Sequence, residues 1–291
     1  MDSEDNSHLM PAAFLGHGSP MNAVENNRYT GAWRDFGASV PRPRAILVVS
    51  AHWYVNLSAV TAMSKPKTIH DFYGFPESLF SVNYPAPGDR AVAEEVAETV
   101  KPTWIGFDHD SWGLDHGTWS VLVHAFPDAD IPVVQLSINS QSSLEDHFEL
   151  GAQLARLRKR GILIVGSGNV VHNLRGVDWG LPHGGFDWAH RFNEAALSYM
   201  TASPEDVLTL ASHADFRTAV PTPDHFIPLL YIAGLASAEG SKAGVLIDGY
   251  AYGSLSMTSY TLGASPSALR PAGDAGEIPD PDLVPPEDTN V

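Results

Sequence analysis

The chain has 291 residues, 44% of them hydrophobic, and 34 acidic against 17 basic side chains give a formal net charge of −17. That length supports one large α/β domain or two small ones with a sizeable core, and that charge disfavours nucleic acid or an anionic membrane surface, because phosphate binding needs clustered Lys and Arg. There is no cysteine but there are 13 histidines, so disulfides and thiolate metal sites are excluded and any metal must rest on His, Asp, Glu or water.

Residues 1–10 are polar, with no apolar signal core behind them, and are expected to form a flexible N-terminus. Pro11 to Leu15 reads as a short strand ending in Gly16-His17-Gly18-Ser19-Pro20. Asn27 to Ala38 suits a helix. Arg44 to Ser50 is a buried strand followed by Ala51-His52-Trp53. Ala91 to Val100 and Trp119 to Ala125 suit helices, and Pro132 to Ile138 a strand. Leu144 to Arg160 has the 3.6-residue apolar period, with Gly161 as its stop. Gly161 to Ser167 is a strand, Trp188 to Met200 and Ile227 to Ala238 are helical, and Val245 to Tyr250 and Ser254 to Leu262 read as closing, partly antiparallel strands. The segment 264–291 is rich in Pro, Gly and acidic residues and is expected to be a disordered, dispensable tail. No linker interrupts residues 11–263, which are read as a single domain. No apolar run approaches the roughly 20 residues of a bilayer-spanning helix, and a soluble, cytoplasmic protein is expected. Apolar strands alternating with helices predict an α/β fold whose sheet is covered on both faces. Such sheets place their sites in crevices beyond the strand ends.

Four histidines occupy that kind of position. His17 and His52 follow strands, His172 follows a strand through Gly166-Ser167-Gly168-Asn169, and His225 lies in Thr222-Pro223-Asp224-His225-Phe226. Thr222 could cap a helix there, although Pro228 points to a slightly later start for the regular helix. Neutral imidazole is a common ligand of zinc and iron, and a catalytic metal takes three protein ligands and keeps a position open. Taken singly, each ring is more readily read as packing; four in equivalent places shift the reading toward a site. His116 and His70 lie in segments dense in aromatics, Gly and Pro, where Phe72, Tyr73 and Trp119 either line a pocket for a flat substrate or fill space beneath a long loop. Gly16-His17-Gly18-Ser19 lacks the G-x-S-x-G order of a nucleophile elbow, and no Walker lysine follows Gly166-Ser167-Gly168-Asn169.

Ordered segments carry a family resemblance: FLGHGSPMNAVENN from Phe14, RPRAILVVSAHWY from Arg42, TIHDFYGFPESLF from Thr68, NYPAPGD from Asn83, WGLDHGTWSVL from Trp112, DADIPVVQLSIN from Asp128, GSGNVVHNL from Gly166, TPDHFIPLLYIAG from Thr222 and GSLSM from Gly253. The chain resembles the LigB-type (class III) extradiol ring-cleavage dioxygenases, in the branch of the 4,5-DOPA extradiol enzymes, from about Pro11 to Leu262. The resemblance implies a three-layer α/β/α sandwich with a mixed, mostly parallel sheet. It implies His17, His52 and His225 as metal ligands, His172 as the acid–base residue beside the metal, and His116 near the substrate or oxygen. Many extradiol enzymes bind Fe(II) through two His and a carboxylate; here His225 stands where that carboxylate would be, and three neutral ligands suit Zn(II) as well as Fe(II). The implied partners are a small aromatic diol and O2, and a homo-oligomer is left open. A zinc hydrolase using the same rings, with His172 as general base, is the rival from another class; a metal-binding protein without catalysis would leave His172 unexplained.

Overall fold

The computed structural model describes residues 9–264. Most of the expected N-terminal segment 1–10 and of the acidic tail 264–291 therefore lies outside the described residues. In chain order the elements are β1 (Ala12–Gly16), α1 (Arg28–Ser39), β2 (Ala45–Val55), β3 (Ala59–Thr61), α2 (Glu77–Phe80), α3 (Arg90–Thr99), β4 (Gly106–Asp108), α4 (His116–Ala125), β5 (Val133–Asn139), α5 (Leu144–Arg158), β6 (Ile162–Gly168), α6 (Asp187–Ala202), α7 (Phe216–Ala219), α8 (Ile227–Ala238), β7 (Gly244–Ile247), β8 (Tyr250–Ala251), β9 (Leu255–Ser256) and β10 (Ser259–Leu262).

Eight strands form one sheet in the order β4-β3-β5-β2-β6-β1-β10-β7. Its centre, β5-β2-β6-β1, is parallel. β10 and β7 close one side antiparallel, and on the other β3 runs antiparallel to β5 and parallel to β4. β8 and β9 make a separate two-stranded ribbon. Strand periodicity sorts the core into two layers. Phe14, Leu47 and Val49 pack with α3, α5, α6 and α8, whereas Ala13, Leu15, Ile46 and Val48 pack with α1 and α4. The result is the three-layer α/β/α arrangement with a mixed sheet. No helix among the described residues is long and apolar enough to cross a membrane.

Local chemistry explains the helix limits. Asn27 and Thr30 form a reciprocal cap for α1, and Ser143 with Asp146 does so for α5. Gly161, at φ 77°, turns the chain from α5 into β6 in the left-handed region that favours glycine. α8 is buried along almost its whole length and lies tightly on α5: a Cβ on Gly151 would stand 2.4 Å from the Tyr231 carbonyl oxygen, and one on Gly234 2.1 Å from that of Phe148.

Three expectations need correction. β2 does not stop at Ser50 but runs to Val55, so His52 lies within a strand. α4 begins at His116 rather than Trp119, so His116 opens a helix instead of sitting in a loop. The closing strands are broken, Val245–Tyr250 into β7 and β8 and Ser254–Leu262 into β9 and β10.

His147 is buried in the α5–α8 contact with its Nδ1 3.1 Å from the Tyr231 hydroxyl. Burial pushes its pKa from 6.5 down to about 4, against smaller opposing effects of the Asn139 carbonyl and Asp146. Below pH 6.5 the unfolded chain takes up a proton that the folded chain refuses, so this contribution to stability is complete above pH 6.5 and falls as pH drops toward 4. Urea unfolding of His147→Gln should show a pH slope shallower than wild type by up to about 1.4 kcal/mol per pH unit in that window; parallel slopes would show that His147 titrates alike in both states.

Candidate metal centre

The centre forms where β1, β2 and β6 end and α4 and α8 begin. His17 directly follows β1. Beyond His17 the chain turns at Gly18, φ 59°. The pairing of β2 with β5 slips between Val49 and Tyr54, so Val49 faces Leu136 but Tyr54 already faces Ile138. A bulge of this kind re-aims side chains, and here it lies around His52. His225 precedes α8, which starts only at Ile227 with Pro228 in its first turn. The His225 carbonyl accepts the Asn169 N–H at 2.9 Å, and a Cβ on Gly168 would stand 2.2 Å from that same oxygen. His172 is held through its N–H on the Ala219 carbonyl at 2.9 Å. His116 opens α4, whose Asp115 N-cap accepts from Thr118 N–H.

Five imidazoles thus meet. His17 lies 5.1, 5.4 and 5.7 Å (ring centroids) from His52, His225 and His116; His52 lies 3.8 Å from His116 and 4.9 Å from His225; and His172 stacks on His225 at 3.5 Å and 3°. Nitrogens of His17, His52 and His116 all lie within 4.8 Å of one another. Burial first, and then the neighbouring rings, push His17, His52 and His172 well below 6.5; at His172 the Asp224 charge opposes this. These three rings are therefore neutral at pH 7, the form that can donate a lone pair to a metal.

The outer nitrogens decide which lone pair is free. His17 Nδ1 meets Ser167 Oγ at 3.0 Å, and that hydroxyl already donates to the Gly117 carbonyl, so it is left to accept the Nδ1 proton. His225 Nδ1 donates to the Asp224 carboxylate. His52 Nδ1 faces Asp71 Oδ2 at 3.5 Å. Nε2 of His17 and His52 then approach to 3.2 Å, and buried His225 Nε2 has no partner. Two nitrogens each about 2.0–2.1 Å from a tetrahedral ion stand about 3.3–3.4 Å apart, so the donor set fits a divalent metal, with an acceptor behind each of these three rings as such sites characteristically have. Burial pushes Asp224 up, but the adjacent His225 charge, with the Thr222 hydrogen bond, outweighs it and holds the carboxyl well below the usual range.

The aromatic candidates separate. Buried Phe72 meets His116 edge-on at 5.5 Å. Trp119 is buried and donates from Nε1 to the Ile69 carbonyl, and His70 Nε2 contacts the Val82 carbonyl while its ring packs on Phe72, Phe80 and Trp119. Tyr73 is exposed. Residue-type reasoning singled out neither Asp71 nor Ser167, since a lone Asp after His70 and a Ser inside a strand carry no sequence signal; Asp224 was visible only through its neighbour His225.

Residues 11–263 match the family described as the catalytic LigB subunit of aromatic ring-opening dioxygenase. The chain belongs to this family. Among curated proteins it is 47% identical, over 88% of its length and 96% of the relative's, to a 4,5-DOPA dioxygenase extradiol of Escherichia coli K12. It is 36% identical, over 89% and 98%, to one from Beta vulgaris. A crystal structure of an uncharacterized Escherichia coli K12 protein superposes with a TM-score of 0.77 at 42% identity, covering 87% of this chain and all of that one.

Gly117 lets α4 abut the centre: an added Cβ would stand 2.4 Å from Ser50 Oγ and 2.9 Å from His52 Cδ2. Gly117→Ala should lower stability by about 1–3 kcal/mol, the usual cost of overpacking, and weaken Zn(II) binding, read by thermal melts with and without metal. A variant with wild-type melting in both conditions would contradict that packing.

Proposed function

We propose that this chain is an extradiol dioxygenase acting on a DOPA-like catechol, with His17, His52 and His225 holding the metal and His172 and His116 serving the substrate. The observation that carries this reading is the convergence of buried imidazoles whose outer nitrogens face Ser167, Asp71 and Asp224. Its context is a family of aromatic ring-opening dioxygenases. The names of the Escherichia coli and Beta vulgaris relatives support a DOPA-like substrate. His116 is the nearest competitor for the third ligand position, because its nitrogens also approach those of His17 and His52. The charge-assisted Asp224–His225 pair favours His225, since a ligand imidazole is characteristically fixed by a carboxylate on its far nitrogen.

Fe(II) held by these rings supplies redox chemistry toward O2, whereas Zn(II) supplies Lewis acidity alone. The chain does the rest. Neutral His172 accepts a proton from a catechol hydroxyl and returns it later in the reaction; its stack on His225 fixes the ring, and Asp224 supports its basicity. His116, with buried Nε2 unpartnered, offers a second acid–base group on the other side of His52. Phe72 gives the flat ring an aromatic edge, with His70 and Trp119 packed behind it and Tyr73 toward the surface. The acidic surface fits a cytoplasmic enzyme whose substrate is a free small molecule rather than a polyanion.

Metal analysis of purified variants tests the roles. His17→Ala, His52→Ala and His225→Ala should lose most bound metal. His172→Ala and His116→Ala should retain it, and His172→Ala should lose turnover by about 10²–10⁴-fold. Loss from His116→Ala with retention in His225→Ala would exchange those two assignments.

The function itself is tested by oxygen uptake in matched Fe(II) and Zn(II) preparations with DOPA and a small panel of catechols. The iron form should consume O2 and yield a yellow ring-opened product, and the zinc form should bind the catechol without turnover. An inactive, fully iron-loaded protein that hydrolyses esters or amides with zinc would establish the hydrolase instead.

A further inference from the structure

Asp71 lies in the loop between β3 and α2, its side chain only 16% exposed, and its carboxylate is set between two imidazoles of the centre. Oδ1 accepts the His116 backbone N–H at 2.9 Å and stands 3.1 Å from His116 Nδ1. That second approach is a close charge contact without hydrogen-bond alignment. Oδ2 stands 3.5 Å from His52 Nδ1. Of the other buried acids nearby, Asp224 pairs with His225, and the Asp115 carboxylate accepts from Ser50, Trp112, Thr118 and Gln135. Asp71 is thus the carboxylate that faces both His52 and His116.

We infer that Asp71 is a positioning residue that fixes two rings at once: it keeps the Nδ1 proton on both His52 and His116, so that the Nε2 lone pair of the first is free for the metal and that of the second for the substrate cavity. A carboxylate can only accept, so it favours the Nδ1–H tautomer on each ring it faces. The backbone bond to His116 anchors this loop to the first turn of α4, which aligns the two rings relative to each other. The ring centroids of His52 and His116 are only 3.8 Å apart, so an error in one ring's tautomer or tilt is felt by its neighbour. Asparagine at 71 keeps shape and volume but must turn an NH2 toward one ring or the other, leaving that ring without the acceptor it needs.

This inference rests on the metal-centre reading above, and the experiment separates the two. Full-length protein is stripped with a chelator and titrated with Zn(II), and with Co(II) for its visible spectrum, in wild type, Asp71→Asn and Asp71→Glu. Wild type should bind one ion per chain. Asp71→Asn should bind about 10–100-fold more weakly with an altered Co(II) band while keeping its circular dichroism, and Asp71→Glu should recover part of the affinity. Absence of metal binding in wild type would overturn the metal-centre reading and this inference with it. Normal wild-type binding together with unchanged affinity and spectrum in Asp71→Asn would overturn the role of Asp71 alone. Should Asp71→Asn fail to fold, long-range ¹H–¹⁵N imidazole spectra of metal-free wild type decide the matter. The inference requires His52 and His116 to carry their protons on Nδ1; a proton on Nε2 of either ring overturns it.

Discussion

The constraint on which this architecture depends is electrical: several imidazoles are packed ring against ring in a site from which water is largely excluded. Protonating one ring costs the loss of its hydration and also raises the cost for its neighbours, which is why burial and then mutual repulsion hold His17, His52 and His172 neutral. A neutral imidazole still carries one N–H, and a buried donor must be satisfied. Acceptors on the outside favour the cluster, and Ser167, Asp71 and Asp224 stand beside the outer nitrogens of His17, His52 and His225. The inward nitrogens are left as a converging set of lone pairs, an arrangement that is unfavourable alone and becomes favourable around a cation.

The backbone follows from this requirement. Bringing imidazoles from the ends of three parallel strands to one point leaves no room for side chains at the crossing places. Gly117 lies against Ser50 and His52, and Gly168 against the His225 carbonyl. The slipped register of β2 lets one strand run on past the sheet's regular pairing while carrying His52 into the cluster. The central strands β1, β2 and β6 are paired in parallel on both sides of β6 and buried on both faces, so the strand ends beside the histidine cluster belong to a fully paired, buried part of the sheet. The segments that approach from outside, the loop with Asp71 and the turn with Asp224, bring the acceptors.

Much of this was legible in the chain, and the boundary between what was and what was not is physical. Runs such as Ala45 to Ser50 and Ile162 to Val165 announce buried strands because nothing else buries unbroken β-branched residues so economically. Glycine-rich turns after them mark where the sheet ends, and histidines there are unusual enough to be noticed. Pro228 correctly delayed α8. What could not be read depends on tertiary contact. The extension of β2 past His52 runs through Ala51-His52-Trp53, which has no strand period of its own, and the helical start at His116 rests on the Asp115 cap in a segment crowded with Gly and Trp. The three-residue strands β3 and β4 are too short to show a pattern. Asp71 has no local signature at all, since its meaning is that His52 and His116, 19 residues before it and 45 after it, fold to either side of one carboxylate.

The same placement bears on how a divalent charge is balanced here. In a site with a ligating carboxylate, part of the compensation is bonded directly to the ion and weakens its hold on an anionic substrate. On the reading that His17, His52 and His225 hold the ion, the compensating charges would be Asp71 and Asp224, each one ring away, behind His52 and His225. Both carboxyls are held below their usual range despite burial, Asp71 by its contact with His116, including the backbone N–H bond, and Asp224 by its contact with His225. Both therefore remain anionic at pH 7 and lend electron density to the rings they face. On the proposed reading, a divalent ion bound by these rings would keep its charge uncompensated on the side away from the carboxylates, and a catechol that had given up a proton to His172 would be drawn there. On that reading, carboxylates placed behind the rings would couple two tasks, holding the ligands in the correct tautomer and keeping the open side of the centre attractive to a deprotonated diol, in the same pair of residues.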